Sequence, residues 1–135
     1  MRVVFAGGGT GGHIYPGVAV ARALLAIDDS ISVEFWGSGR ALETEILAKE
    51  GFTARHVASA PLPASLLDVP RFFYSLAAGF YSSYRLQKAL HVRAVVGLGG
   101  FSSYAPVRVA ASFGLPTFLL EQNAVPGYAN RRLAN

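Results

Sequence analysis

The chain has 135 residues, 52% of them hydrophobic, which is enough for one domain with its own core and excludes a disordered segment. It contains no cysteine, so disulfides and thiolate-ligated metals are excluded, and no apolar run approaches the roughly 20 residues of a membrane span. The net charge of +4 comes from scattered basic residues with no nucleic-acid motif beside them, so no nucleic acid is expected as a partner, whereas a modest basic balance suits anionic lipid.

The first predicted strand, 2–6, begins without a signal-peptide pattern, which makes the cytoplasm the expected compartment. Its apolar run Val3-Val4-Phe5-Ala6 enters Gly7-Gly8-Gly9-Thr10-Gly11-Gly12-His13, and a helix over about 16–27 follows from Pro16. Strand, glycine loop and helix N-terminus together make a phosphate cradle, because glycines let the backbone approach a ligand and the free N–H groups and helix dipole favour negative charge. His13 adds a group that exchanges a proton near neutral pH. Gly7, Gly9 and Gly12 also spell G-x-G-x-x-G, a dinucleotide signal when an acid closes the second strand. That strand, 31–36, runs instead into Gly37-Ser38-Gly39-Arg40, so only a reading with NADP survives, through Arg40.

A helix is predicted over 40–50, where Arg40, Glu43 and Glu45 read as a solvated helix start, and a strand over 53–57. The long helix predicted over 70–90 carries Phe72, Leu76, Phe80 and Tyr84 at i, i+4 spacing, with Phe73, Ala77 and Tyr81 alongside and Arg71, Arg85 and Lys88 flanking them. Such a face either packs on a sheet or meets anionic headgroups, and Leu66, Leu67, Phe72 and Phe73 are the expected membrane contacts.

The strand at 94–97 leads through Gly97-Leu98-Gly99-Gly100-Phe101-Ser102-Ser103 into a helix at 103–113, forming either a second anion cradle or a tight turn capped by Ser102 or Ser103. The last strand, 116–120, delivers Glu121-Gln122-Asn123-Ala124-Val125-Pro126-Gly127 before a helix at 126–134. The amides and the carboxylate either bind sugar hydroxyls or an N-acetyl group, with the Glu121 carboxylate orienting His13, or cap the final helix. His56 and His91 fall outside the glycine-rich loops and receive no role.

Alternating strands and helices specify an α/β domain, a Rossmann-like, doubly wound parallel sheet with largely apolar strands covered on both faces. Ligands of such sheets sit beyond the carboxyl ends of the strands, where the three loops converge. The sequence stops inside a helical pattern, so residues 1–135 read as a truncated amino-terminal domain whose carboxy-terminal partner is absent.

Taken together, Gly8-Gly9-Thr10-Gly11-Gly12-His13, Gly97-Leu98-Gly99-Gly100-Phe101 and Glu121-Gln122-Asn123-Ala124-Val125-Pro126-Gly127 with Asn130-Arg131 resemble the amino-terminal domain of the MurG family, in the same order and over the whole chain. The resemblance implies the first half of a two-domain GT-B glycosyltransferase, inactive as a fragment. The complete enzyme would transfer N-acetylglucosamine from UDP-N-acetylglucosamine to the C4 hydroxyl of the muramoyl sugar of undecaprenyl-linked lipid I. It would do so with inversion, without a metal or other cofactor, at the cytoplasmic face of the bacterial membrane.

The same resemblance implies roles for individual residues. His13 would be the catalytic base, with Glu121 as its partner or as an alternative base. Thr10, Gly11, Gly12 and Asn123 would lie near the donor, and Gly9, Gly99, Gly100 and Phe101 near the acceptor diphosphate. Uridine contacts would fall on the second domain. Phe101 and Leu120 depart from the Tyr and His common in the family, each losing a polar group. The competing readings are an NADP-binding oxidoreductase domain and a noncatalytic module that binds a sugar nucleotide or lipid.

Overall fold

A computed structural model describes residues 1–9 and 11–134. The predicted Thr10 contact therefore lies outside the described residues. Five parallel strands, β1 (Arg2–Gly7), β2 (Ser32–Gly37), β3 (Thr53–His56), β4 (Ala94–Gly99) and β5 (Thr117–Leu119), form one sheet in the order β3-β2-β1-β4-β5. The helices between them are α1 (Gly11–Ile27), α2 (Ala41–Lys49), α3 (Val69–Leu90, preceded by a single 3-10 turn at Leu66–Asp68), α4 (Phe101–Ser112) and α5 (Tyr128–Leu133). The chain winds outward from β1 in both directions, which is the doubly wound topology expected from the sequence.

Period-two alternation along the central strands divides the core between the two faces. Val3, Phe5 and Phe35 point to one side and pack with Ile14, Val18, Leu47 and Leu98, mostly from α1 and α2. Val4, Ala6 and Trp36 point to the other and pack with Val57, Val95, Val107 and Ala110, beneath α3 and α4. Within β2, the buried Glu34 carboxylate accepts from Arg55 Nε at 2.6 Å and from Trp36 Nε1 at 3.3 Å. Burial alone would raise its pKa, but those hydrogen bonds and the charges of Arg55 and Arg2 hold it below the usual value.

Several sequence-based expectations shift here. α1 begins at Gly11 rather than Pro16, so the proline sits inside the helix. Pro16 has no N–H for the Gly12 carbonyl four residues back, and Gln122 Nε2 donates to that oxygen instead, at 2.9 Å. β5 is shorter than predicted and is not covered on both faces, since Phe118 is 59% exposed at the sheet edge. The aromatic row of α3 divides by role. Its buried stripe is Gly79, Ser83 and Gln87, with Gln87 donating to the Pro106 carbonyl at 2.7 Å. Phe80 then stands edge-on to Tyr104, and Tyr84 packs on Phe113. His91, with φ 52°, ends α3 in the left-handed conformation, and His56 closes β3 as an exposed residue.

Candidate active site

β1 lies between β2 and β4, so the loops after β1 and β4 leave the sheet side by side at the point where the winding reverses. Their approach is very close. The register of β1 against β4 shifts by one residue between Ala6 and Gly7, bringing Gly7 opposite Gly99. A Cβ on Gly7, whose φ is +126°, would stand 2.5 Å from the Gly99 carbonyl oxygen. One on Gly99, at φ +93°, would stand 3.3 Å from the His13 ring. Both positions require glycine, for conformation and for space.

The cleft so formed has a volume of about 200 Å³ and is lined by Gly8, Gly9, His13, Gly100, Phe101 and Ser102, with Ser38, Arg40 and the segment 59–61 opposite. Of the predicted residues, His13, Gly9, Gly100 and Phe101 meet here, while Gly99 lies directly against His13. Arg40 is exposed and its Nη1 donates to the Gly9 carbonyl at 3.4 Å, placing a fixed positive charge at the mouth. Glycine backbone, a helix N-terminus and a guanidinium suit a doubly charged phosphate ligand. Gly100 serves as N-cap of α4, and Ser103 Oγ donates back to its carbonyl at 2.8 Å, so the hydroxyl supports the turn and is not itself the cap.

The third loop behaves differently from expectation. Glu121 does not pair with His13. Its carboxylate accepts from the backbone N–H of Gly127 at 2.9 Å and of Asn123 at 3.0 Å, and from the side-chain amides of Asn123 and Asn130 at 2.9 and 3.0 Å. The Gly127 and Asn123 backbone bonds, foremost, bring its pKa down to about 2. A carboxylate that reluctant to take a proton is a poor base at neutral pH. Glu121 is the brace of the loop before α5, and it holds the Asn123 amide turned toward itself.

The neighbour of His13 is Gln122, whose Nε2 contacts His13 Nδ1 as well as the Gly12 carbonyl. An amide nitrogen only donates, so in this arrangement Nδ1 accepts and the neutral ring carries its proton on Nε2. Sequence reasoning assigned Gln122 no separate role, and the one available signal was Pro16, which orphans the Gly12 carbonyl.

Glu43 was also misread. It is buried, not solvated: it receives Ser38 Oγ at 2.9 Å and lies against Gly8 and Gly37, beneath the first glycine loop. Its spacing from Ile46 and Leu47, both buried, puts it on the inner face of α2, a pattern readable in the sequence. Asn130, named only within the longer motif, is 4% exposed, and its Nδ2 donates to the Leu120 carbonyl at 3.2 Å. Its Oδ1 has no hydrogen-bond partner among the described residues.

The Glu121 brace has a measurable pH dependence. Its folded-state pKa lies below the ordinary carboxyl value of 4.5, so its contribution is complete above that pH and fades as pH falls toward about 2. Protection of the backbone amides in 121–130, meaning exchange relative to the intrinsic rate at each pH, is expected to fall over that interval in the native protein and to be lower and unchanged with pH in Glu121→Gln. Equal protection in the two proteins would remove the brace.

The expected membrane contacts differ in exposure. Leu66 and Leu67, in the turn before α3, are 90% and 91% exposed, and Phe73, near the start of α3, is 62% exposed. Phe72 differs from them. It is half-buried, edge-on to Phe73 at 5.6 Å, and lines a second, apolar cavity.

The model of the glycosyltransferase family 28 N-terminal domain matches residues 3–135. A relative from Bdellovibrio bacteriovorus, named UDP-N-acetylglucosamine–N-acetylmuramyl-(pentapeptide) pyrophosphoryl-undecaprenol N-acetylglucosamine transferase, is 43% identical over 134 residues, covering 98% of this chain and 38% of the relative. One of the same name from Halothermothrix orenii is 42% identical over 137 residues, covering 99% of this chain and 36% of the relative. The crystal structure of Acinetobacter baumannii MurG superposes with a TM-score of 0.81 at 27% identity, covering 98% of this chain and 37% of that one. The chain thus spans well under half the length of the relatives it matches. With its glycine loops at the reversal point of the sheet and a family model matching nearly end to end, the chain belongs to the glycosyltransferase family 28 N-terminal domain family.

Proposed function

We propose that the protein carrying this chain is an inverting N-acetylglucosaminyltransferase acting on UDP-N-acetylglucosamine and lipid I to give lipid II. The observation that carries this reading is the cleft: a histidine on the first turn of α1, set between two glycine loops that leave adjacent strands. The names of the 43% and 42% identical relatives support the donor and acceptor. Family membership sets aside the NADP-dependent oxidoreductase reading.

In the proposed mechanism the acceptor diphosphate lies along the glycine loops at Gly9, Gly99 and Gly100, beside Phe101, with Arg40 balancing its charge. The C4 hydroxyl of the acceptor's muramoyl sugar then faces His13. Inversion needs that proton removed as the oxygen attacks the anomeric carbon and the UDP oxygen departs with the bonding electrons. For Nε2 to receive the proton, Gln122 must release Nδ1 so that the ring's own hydrogen can reside there. Gln122 is exposed and can turn when the acceptor arrives. Thr10, Gly11, Gly12 and Asn123 are proposed to border the donor sugar, with uridine held by a second domain.

No helix among the described residues is long and apolar enough to cross a membrane. Attachment at the cytoplasmic face is proposed to run through Leu66, Leu67 and Phe73, with Phe72 behind them. The test is transfer of labelled sugar from UDP-N-acetylglucosamine to a lipid I analogue by the full-length protein. Transfer is expected, as is sedimentation with anionic vesicles that weakens roughly tenfold in the Leu66→Ser, Leu67→Ser, Phe73→Ser variant. A folded protein that binds the donor but transfers nothing would overturn the assignment of the acceptor.

A further inference from the structure

Gln122 follows β5 in a loop whose preceding residue, Glu121, is tied to the backbone N–H groups of Asn123 and Gly127, so the root of the glutamine is fixed while its side chain is exposed. The Nε2 group carries two hydrogens, and both have acceptors: the Gly12 carbonyl at 2.9 Å and Nδ1 of His13. The amide cannot face the other way. Pro16 supplies no helical N–H to the Gly12 carbonyl, so a reversed amide would set Oε1 against that oxygen, acceptor against acceptor. The proline inside α1 thus decides which ring nitrogen of His13 holds the hydrogen.

That choice governs the chemistry of the cleft. With its Nδ1 lone pair held by Gln122, the neutral ring keeps its hydrogen on Nε2, and Nε2 then has no lone pair able to take a proton. Nε2 has no hydrogen-bond partner among the described residues, and His13 lines the cleft. Before an acceptor arrives, the free nitrogen of the ring is therefore a donor and not a base. Water is always present and a sugar nucleotide is open to its attack, so a resting imidazole with a free lone pair at Nε2 would promote loss of the donor.

We propose that Gln122 is a positioning residue that determines the choice of nucleophile: it holds His13 in the unproductive tautomer until the acceptor draws its amide away, and so favours the sugar hydroxyl over water. The proposal rests on the transferase reading above. In the suppressed side reaction the oxygen of water bonds to the anomeric carbon, the bond to the UDP oxygen breaks with its electron pair going to UDP, and the water proton passes to Nε2. The products are free N-acetylglucosamine and UDP. What the resting arrangement withholds is the proton acceptor.

The test uses the full-length protein under mildly alkaline conditions, where imidazole is neutral, and follows UDP release without acceptor beside transfer to a lipid I analogue. Gln122→Glu keeps the length of the side chain but presents Nδ1 with an acceptor, so the ring hydrogen moves to Nδ1 and Nε2 becomes basic. Gly12 is exposed, and its carbonyl is left to water. Donor hydrolysis is expected to rise about tenfold in Gln122→Glu and to fall back when His13→Ala is added, which simple opening of the loop would not produce. Two-bond proton–nitrogen correlation spectra of protein with labelled histidine are expected to show His13 protonated on Nε2 in the unmodified protein and on Nδ1 in Gln122→Glu. Unchanged hydrolysis in Gln122→Glu, a gain that persists without His13, or a ring protonated on Nδ1 in the unmodified protein would each overturn the proposal. No transfer to the analogue by unmodified protein with donor bound would instead overturn the transferase reading. Should Gln122→Glu not fold, the tautomer in the unmodified protein decides alone.

Discussion

His13→Ala in the full-length protein is expected to lower kcat by about a thousandfold while changing the KM for the sugar nucleotide only a few-fold. The reasoning is geometric. Among the described residues His13 is the one imidazole lining the cleft, whereas His56 closes an exposed strand end and His91 terminates α3. Glu121, the other group the sequence offered as a base, spends its oxygens on Gly127, Asn123 and Asn130 and sits at a pKa of about 2. A general base contributes mainly to the transition state, so its loss falls on kcat. Steady-state kinetics with the donor varied at saturating acceptor would check it, and a variant with kcat within threefold of the original would exclude His13 as the base.

Gly7→Ala is expected to cost about 3 kcal/mol of stability and to abolish activity. The new Cβ would meet the Gly99 carbonyl at 2.5 Å in a backbone conformation that L-residues rarely adopt, and relief would drive the two glycine loops apart. Gly51→Ala provides the comparison. Its φ of +79° is near the left-handed helical region, where an added Cβ costs about 1 kcal/mol, and no atom lies within 4 Å of the added carbon. Thermal unfolding compares the two: Gly7→Ala should melt several degrees below Gly51→Ala, and coincident transitions would show that neither the close approach of the loops nor the backbone conformation at Gly7 is needed.

Much of this arrangement was legible in the sequence because it depends on local pattern. Alternating apolar runs and amphipathic stretches gave the five strands and the winding, and glycine runs at strand ends located the cleft. Features created by tertiary neighbours were not legible. The start of α1 moved back to Gly11 because a side chain 110 residues away satisfies the carbonyl that Pro16 cannot. Glu121 turned toward α5 because four donors from three residues converge on it, a convergence that only the folded loop creates. Glu43 is the intermediate case, since its helical spacing revealed the buried face but nothing revealed that the space beneath Gly8 would hold a carboxylate.

The outer edge of the sheet has a practical consequence. β5 pairs with β4 alone, is three residues long, and shows Phe118 to solvent beside backbone able to accept another strand. Short length limits this template but does not remove it. A strand added there would lie beyond β5, so this edge is a seam at which the sheet can be lengthened without crossing the β1–β4 junction that carries the glycine loops.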